Sequence, residues 1–378
     1  MFHIPSVPYI SSVPYVSFPV PSHFSPFTFN FSPYMIATHI QTLHGYTPGE
    51  QPQIPGLIKL NTNENPHPPS PKVAEALRAF DPARLRLYPD PVCKAVRERI
   101  AEIHGCPVAN VFAGNGSDEI LALASRAFVN ADETIGFFDP SYSLYPVLAD
   151  IHNVRQNPKK LNPDFSWQVP ATCHDALFYL ANPNAPTSLR ASTETVAALC
   201  KNASGVVLID EAYADFARGN CMALATAPDN TNTLVMRTLS KSFSLAGLRF
   251  GYCVGPAPLI HALYKIKDSY NVNMLTATLA LAALSDLPHM RANVEKIIAT
   301  RERLAHTLRE RGFTMPDSET NFLFARPPAG NAAQLLQHLR DNKILVRHFD
   351  FPATREHIRI TVGTDAEADA LLAALPSF

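Results

Sequence analysis

Five short apolar runs that each stop at a polar tip constrain the fold of this chain more than any other feature. Residues 111–113 lead into Gly114-Asn115-Gly116-Ser117-Asp118, and 134–138 into Asp139-Pro140-Ser141-Tyr142. Residues 177–181 lead into Asn182-Pro183-Asn184, 206–209 into Asp210-Glu211-Ala212-Tyr213, and 234–236 into Arg237-Thr238-Leu239-Ser240-Lys241. Continuous β-branched and aromatic runs of this length read as parallel strands buried on both faces. Between about Pro91 and Leu287 they alternate with helical patterns, which predicts an α/β fold with a mostly parallel sheet covered by helices. In such sheets ligands bind beyond the carboxyl ends of the strands, where these tips lie.

The tips carry a consistent chemistry. Lys241 supplies an amine able to form a Schiff base with an aldehyde, and Arg249 follows eight residues later as an anion clamp. Ser240 and Ser242 add hydroxyls suited to a phosphate. Asp210 is costly at a strand tip without a partner; it serves either to keep a heterocyclic nitrogen protonated or to cap the next helix. Tyr142 is an aromatic able to stack on a flat ring. Asn182 offers an amide to a ring hydroxyl. The turn at Gly116, Ser117 and Asp118 opens a periodic helix, so backbone amides and a helix N-terminus are expected to face an anion.

The C-terminal part contributes two arginines. Arg359 sits in the alternating run His357-Ile358-Arg359-Ile360-Thr361-Val362, and Arg347 in Ile344-Leu345-Val346-Arg347-His348-Phe349. A guanidinium among β-branched residues is expensive unless it meets an anion. Met290, Val294, Ile297, Leu304 and Leu308 recur at helical spacing, and 321–324, 344–346 and 358–362 read as strands of a smaller α/β lobe.

The order of these motifs resembles that of the fold type I pyridoxal-phosphate aminotransferases, and within them the histidinol-phosphate aminotransferase family. The resemblance starts near Tyr46 in Gly45-Tyr46-Thr47-Pro48-Gly49. It continues through Leu60-Asn61-Thr62-Asn63-Glu64-Asn65-Pro66 and Arg86-Leu87-Tyr88-Pro89-Asp90, and ends at Ile358-Arg359-Ile360-Thr361-Val362-Gly363-Thr364. It implies that Lys241 carries pyridoxal phosphate, Asp210 meets the pyridine nitrogen, Asn182 and Tyr213 meet the ring hydroxyl, and Tyr142 stacks on the ring. Phosphate binding then falls to Gly116, Ser117, Asp118, Ser240 and Arg249, with Tyr88 from a neighbouring subunit, which implies a homodimer with shared sites. Arg359 takes the substrate's carboxylate-like group and Arg347 its distal phosphate, with Asn182 also facing the substrate and Tyr46 reaching across from the partner.

The implied reaction is transamination from glutamate to imidazole-acetol phosphate, giving 2-oxoglutarate and histidinol phosphate. Transamination of an aromatic or other amino acid, phosphothreonine decarboxylation and a non-catalytic cofactor-binding module are the alternatives. Two residues depart from the family pattern: His67 stands where Tyr or Phe is expected, and Ser188 where Gly usually closes the turn.

The remaining expectations are compositional. The 378 residues are 46% hydrophobic with a formal net charge of -1, enough for a large core and without a basic surplus for nucleic acid. Six scattered cysteines and no His-Glu-x-x-His cluster predict reduced thiols, a cytoplasmic location and no catalytic metal. No run is long and apolar enough to span a bilayer. Residues 1–34 have no Asp, Glu, Lys or Arg and are rich in Pro, Ser, Phe and Tyr, which predicts disorder. The expected organisation is this extension, an arm over 35–90 packing on the small domain and the dimer partner, a cofactor domain over 91–287 and a small domain over 288–378.

Overall fold

Alternate residues of each expected strand bury into opposite cores, as a sheet covered on both faces requires. In this computed structural model, which describes residues 35–328 and 330–376, Phe178, Leu180, Val207, Ile209 and Val235 pack into one apolar cluster. Their neighbours Leu177, Tyr179, Leu208, Leu234 and Met236 pack into another. The expected disorder of 1–34 lies outside the described residues. Residues 35–42 contain one helical turn, Thr38–Gln41, and belong to a separate unit from the chain that starts at Leu43.

The main sheet has seven strands: β1 (Val111–Gly114), β2 (Thr134–Asp139), β3 (Arg155–Lys160), β4 (Leu177–Ala181), β5 (Val206–Asp210), β6 (Thr233–Thr238) and β7 (Gly251–Val254). Their order is β1-β7-β6-β5-β4-β2-β3, and β7 alone runs antiparallel, paired with both β1 and β6. The five strands read from the sequence are present. β3 was not legible: it is a polar edge strand interrupted by Pro158, and edge strands need no buried apolar run.

Helix α1 (Ser117–Phe128) follows β1 and buries Ile120, Leu121 and Ala124. The 24-residue helix α2 (Leu287–Glu310) joins two cores, placing Val294 and Ile297 in the first cluster of the sheet and Leu304 and Leu308 in a third. That third cluster is closed by a three-stranded antiparallel sheet of β8 (Phe322–Ala325), β9 (Arg347–His348) and β10 (Ile358–Thr361), in the order β9-β10-β8. The run at 344–346 divides: Ile344–Leu345 pairs in parallel with Ile58–Lys59, while Arg347–His348 joins β10. This pairing ties the segment around residue 60 to the C-terminal lobe.

Candidate active site

The tips of β2, β4, β5 and β6 open onto one cavity of about 1010 Å³, completed by residues 46–51, 62–64 and 347–359. Lys241 stands on its wall, in the loop after β6. Its Nζ donates to the Thr62 carbonyl at 3.2 Å and lies 5.8 Å from the centre of the Tyr213 ring. Burial, with Arg359 second, lowers the amine's pKa to about 8. A desolvated lysine of this kind is a nucleophile near neutral pH.

Asp210 closes β5 with a buried carboxylate, pushed up to about 6 by desolvation. The Tyr145 hydroxyl donates to its Oδ2 at 3.1 Å and the Ala212 amide to its Oδ1 at 3.0 Å, and these bonds limit the rise. Such an acid at a cavity wall suits a cationic ligand atom. Tyr142 also borders the cavity, with its hydroxyl 3.3 Å from Asp118 and its ring edge-on to Tyr46 and Tyr145.

The anion cradle is assembled from three segments. Gly116, at φ 82°, caps α1 without a side chain, and a Cβ there would lie 2.8 Å from the Arg249 guanidinium. Across from it, a Cβ on Gly251 would lie 2.8 Å from the Ser117 amide nitrogen. Gly251 is therefore required by close approach to backbone, and Gly116 by its positive φ. Arg249 donates to Asp118 at 3.2 Å, and Ser240 lines the same wall.

Arg347 and Arg359 both line the cavity. Arg359 Nη2 donates to the Asn61 carbonyl at 2.8 Å, and its buried Nε has no partner among the described residues. Arg347 donates to the carbonyls of Thr47 and Pro48 at 3.3 and 3.4 Å.

Of the other residues singled out in the sequence, Tyr46 lines the main cavity, and Asn182, His67 and Tyr88 are not on its wall. Asn182 does not face this cavity: its Oδ1 accepts from the Ala191 amide at 2.8 Å, its Nδ2 donates back to the Ala191 carbonyl at 3.2 Å, and it borders a neighbouring cavity of about 250 Å³. The loop presents Pro183 and Ala185 to the main cavity instead, because the Asn182 amide pairs with the backbone at Ala191. Tyr46 lines the cavity of its own chain, next to residues 47 and 48, whose carbonyls accept from Arg347. His67 is outside the cavity wall, in the field of Lys296 and Asp365. Tyr88 is also outside it, 79% exposed and stacked on Tyr270 at 4.5 Å.

Sequence reading missed the residues that hold Lys241 in place. Arg237 donates twice to buried Glu211 and once to Asp215, and Asp215 accepts from the Ser242 hydroxyl. Asn65 donates to the carbonyls of Lys241 and Ser242 at 3.0 and 3.2 Å. The acid Glu211, directly after Asp210 in a hydrophobic context, was the available signal for such a network.

The family model described as aminotransferase class I and II matches residues 55–375. The chain belongs to this aminotransferase family. It is 43% identical over 331 residues to a histidinol-phosphate aminotransferase of Microcystis aeruginosa, covering 87% of this chain and 94% of that one. It is 44% identical over 343 residues to a histidinol-phosphate aminotransferase of Chromohalobacter salexigens, covering 89% and 96%. The crystal structure of the Sinorhizobium meliloti histidinol-phosphate aminotransferase in complex with pyridoxal-5'-phosphate superposes with a TM-score of 0.78 at 25% identity, covering 94% of this chain and 98% of that one. Relative to this aminotransferase family the sequence-derived fold, a mostly parallel sheet between helices with a smaller α/β lobe, holds.

Proposed function

We propose that this chain is a histidinol-phosphate aminotransferase using pyridoxal phosphate, exchanging an amino group between L-glutamate and imidazole-acetol phosphate in histidine biosynthesis. The observation that carries the reading is that a depressed-pKa lysine and two anion-seeking arginines line one cavity, in a chain 43% identical to an enzyme of that name.

The residues fit the cofactor. The unpartnered Arg359 Nε and the glycine-lined cradle beside Arg249 await anions, and the raised Asp210 carboxylate awaits a cation. Lys241 would carry pyridoxal phosphate. Asp210 would sit at its ring nitrogen, Tyr213 at its ring hydroxyl and Tyr142 against its face. Gly116, Ser117, Asp118, Ser240 and Arg249 would take its phosphate. When bound, the cofactor supplies an aldehyde that accepts the amino group and a ring that withdraws electrons from the substrate's α-carbon.

The chain's own groups do the rest. Asp210 would keep a proton on the cofactor's ring nitrogen, and Tyr145 and Ala212 hold that carboxylate in place. Lys241 Nζ takes the α-proton, with enough neutral amine near pH 7 to act as base. Arg359 grips the carboxylate of glutamate, and the same pair of arginines accommodates a phosphate ester in the second half-reaction, because both groups present paired anionic oxygens. Tyr46, Tyr142 and Phe349 offer an apolar wall for an imidazole ring.

A homodimer accounts for Tyr88. Exposed Leu85, Leu87, Tyr88, Val92 and Tyr270 suit a second copy, which would receive Tyr88 at its phosphate cradle. The organisation we propose is an arm over 35–90, a cofactor domain over 91–287 and a small domain over 288–378. A cytoplasmic location is supported by six cysteines that are all unpaired.

Glutamate added to the cofactor-loaded protein should convert the bound aldehyde spectrum to the amine form, and imidazole-acetol phosphate should restore it. Restoration by unphosphorylated aromatic keto acids with equal efficiency would favour the broader aminotransferase reading. No conversion by glutamate would end the proposal.

A further inference from the structure

Asn63 carries a group that nothing in the chain's anchorage requires. Its backbone is already tied on both sides: its amide donates to Thr361 Oγ1 at 2.9 Å, and its carbonyl accepts from Asn321 Nδ2 at 3.0 Å. The side chain adds a directed bond. Since Thr361 Oγ1 accepts from the Asn63 amide, its own proton goes to Asn63 Oδ1, at 3.1 Å. That fixes the orientation of the side-chain amide and turns Nδ2 to the Tyr213 hydroxyl oxygen, at 2.9 Å. Asn63 and Thr361 are 1% and 2% exposed, so water does not stand in for either partner. Asn63 also holds φ 56°, which asparagine tolerates better than most residues.

Tyr213 lies on the cavity wall, edge-on to Phe322 and beneath the Lys241 amine. An oxygen that accepts from Nδ2 keeps its own proton free to be donated elsewhere. The amide expected to share this duty, Asn182, is occupied by Ala191. Thr361 lies two residues beyond Arg359 on β10, so the chain of bonds starts on the strand that carries the carboxylate clamp.

We propose that Asn63 is a positioning residue: held by Thr361, it donates to Tyr213 and commits the tyrosine proton to the cofactor's ring oxygen. The second half of this inference rests on the pyridoxal phosphate reading above; the first half does not. A hydrogen bond from Tyr213 stabilises the ionised ring oxygen, so weakening it should make the bound cofactor harder to deprotonate.

The test uses Asn63→Gly, which accepts positive φ and adds no charge, and Thr361→Val, which removes the orienting hydroxyl and with it the acceptor of the Asn63 amide. In protein without added cofactor, the hydroxyl-bearing ring carbon of Tyr213, labelled with carbon-13 and assigned by its loss in Tyr213→Phe, should move in both variants. An unmoved resonance overturns the contact between Asn63 and Tyr213. In protein loaded with pyridoxal phosphate, the pH midpoint of the cofactor's absorbance change should rise by about half to one unit in Asn63→Gly, the scale of one hydrogen bond. In a Tyr213→Phe background, Asn63→Gly should add nothing. A shift of equal size in that background assigns Asn63 a merely structural role and overturns the proposal. Wild-type protein that takes up no pyridoxal phosphate refutes the functional reading and the second half with it, while the carbon resonance still decides the first.

Discussion

Arg347 and Arg359 stand directly opposite one another in the antiparallel pairing of β9 with β10, and both guanidinium groups lie over the ring of Phe349, at 5.5 and 5.2 Å from its centre. Like charges opposed across strands are destabilising on their own. The arrangement makes sense when an anion, or two, neutralises it. Burial and the neighbouring Arg347 both act to lower the pKa of Arg359, a direction that an incoming carboxylate would reverse.

Replacing Arg359 by Gln should therefore lower kcat/KM for both substrates by about 30-fold or more, the loss of a charge-assisted pair. Arg347→Gln should penalise the phosphorylated substrate more than glutamate. Neither change should lower the melting temperature of protein without ligands, because each removes a repulsion. Steady-state kinetics with both substrates, and thermal melts, check this; equal penalties on the two substrates in Arg347→Gln would reject its assignment to phosphate.

Capture of the cofactor should follow the protonation of Lys241. Its amine titrates near 8 because burial favours the neutral form. The rate at which cofactor-free protein takes up pyridoxal phosphate should rise with pH through that value and level off above it, since the neutral amine is the nucleophile. Stopped-flow absorbance measures the rate. A profile that climbs instead through pH 10 would place the amine in water, and Lys241→Ala should leave nothing for borohydride to fix.

Asp210→Asn should separate binding from turnover. The amide fits the same space, and the phosphate cradle at Gly116 and Arg249 is untouched. Cofactor affinity should fall modestly, while kcat should drop by about 10²-fold or more, as for other removed charge-stabilising groups. Unimpaired turnover would refute the role given to Asp210.

Ser188→Gly should stabilise the protein. Ser188 adopts φ 67°, and its fully buried hydroxyl has no hydrogen-bond partner among the described residues. Relief of the left-handed strain and of the lone hydroxyl is worth roughly 1 kcal/mol. Calorimetry should show a melting temperature higher by a few degrees; a decrease would mean that the hydroxyl is bonded in solution.

The strand tips were legible because parallel strands buried on both faces are written as unbroken apolar runs, and the residue that ends each run stands at the sheet's carboxyl edge. Lys241, Asp210, Tyr142 and the turn at Gly116 came from that rule. Asn182 did not obey it: the residue follows a strand, but the ensuing turn carries its side chain to the backbone at Ala191. Local pattern could not reveal bonds that close over long sequence separations, such as Asn63 with Tyr213 or Arg237 with Glu211. The short antiparallel strand β7 was missed because its run begins at Gly251 and ends at Gly255-Pro256, with no polar tip to mark it.

The bonds beneath Lys241 have a mechanical consequence. Asn65 holds the carbonyls of residues 241 and 242, and Asp215, itself bonded by Arg237, holds the Ser242 hydroxyl. Each time the amine lets go of its ligand or returns to it, only a four-carbon tether has to swing. The hinge stays still, so every cycle begins from the same aim.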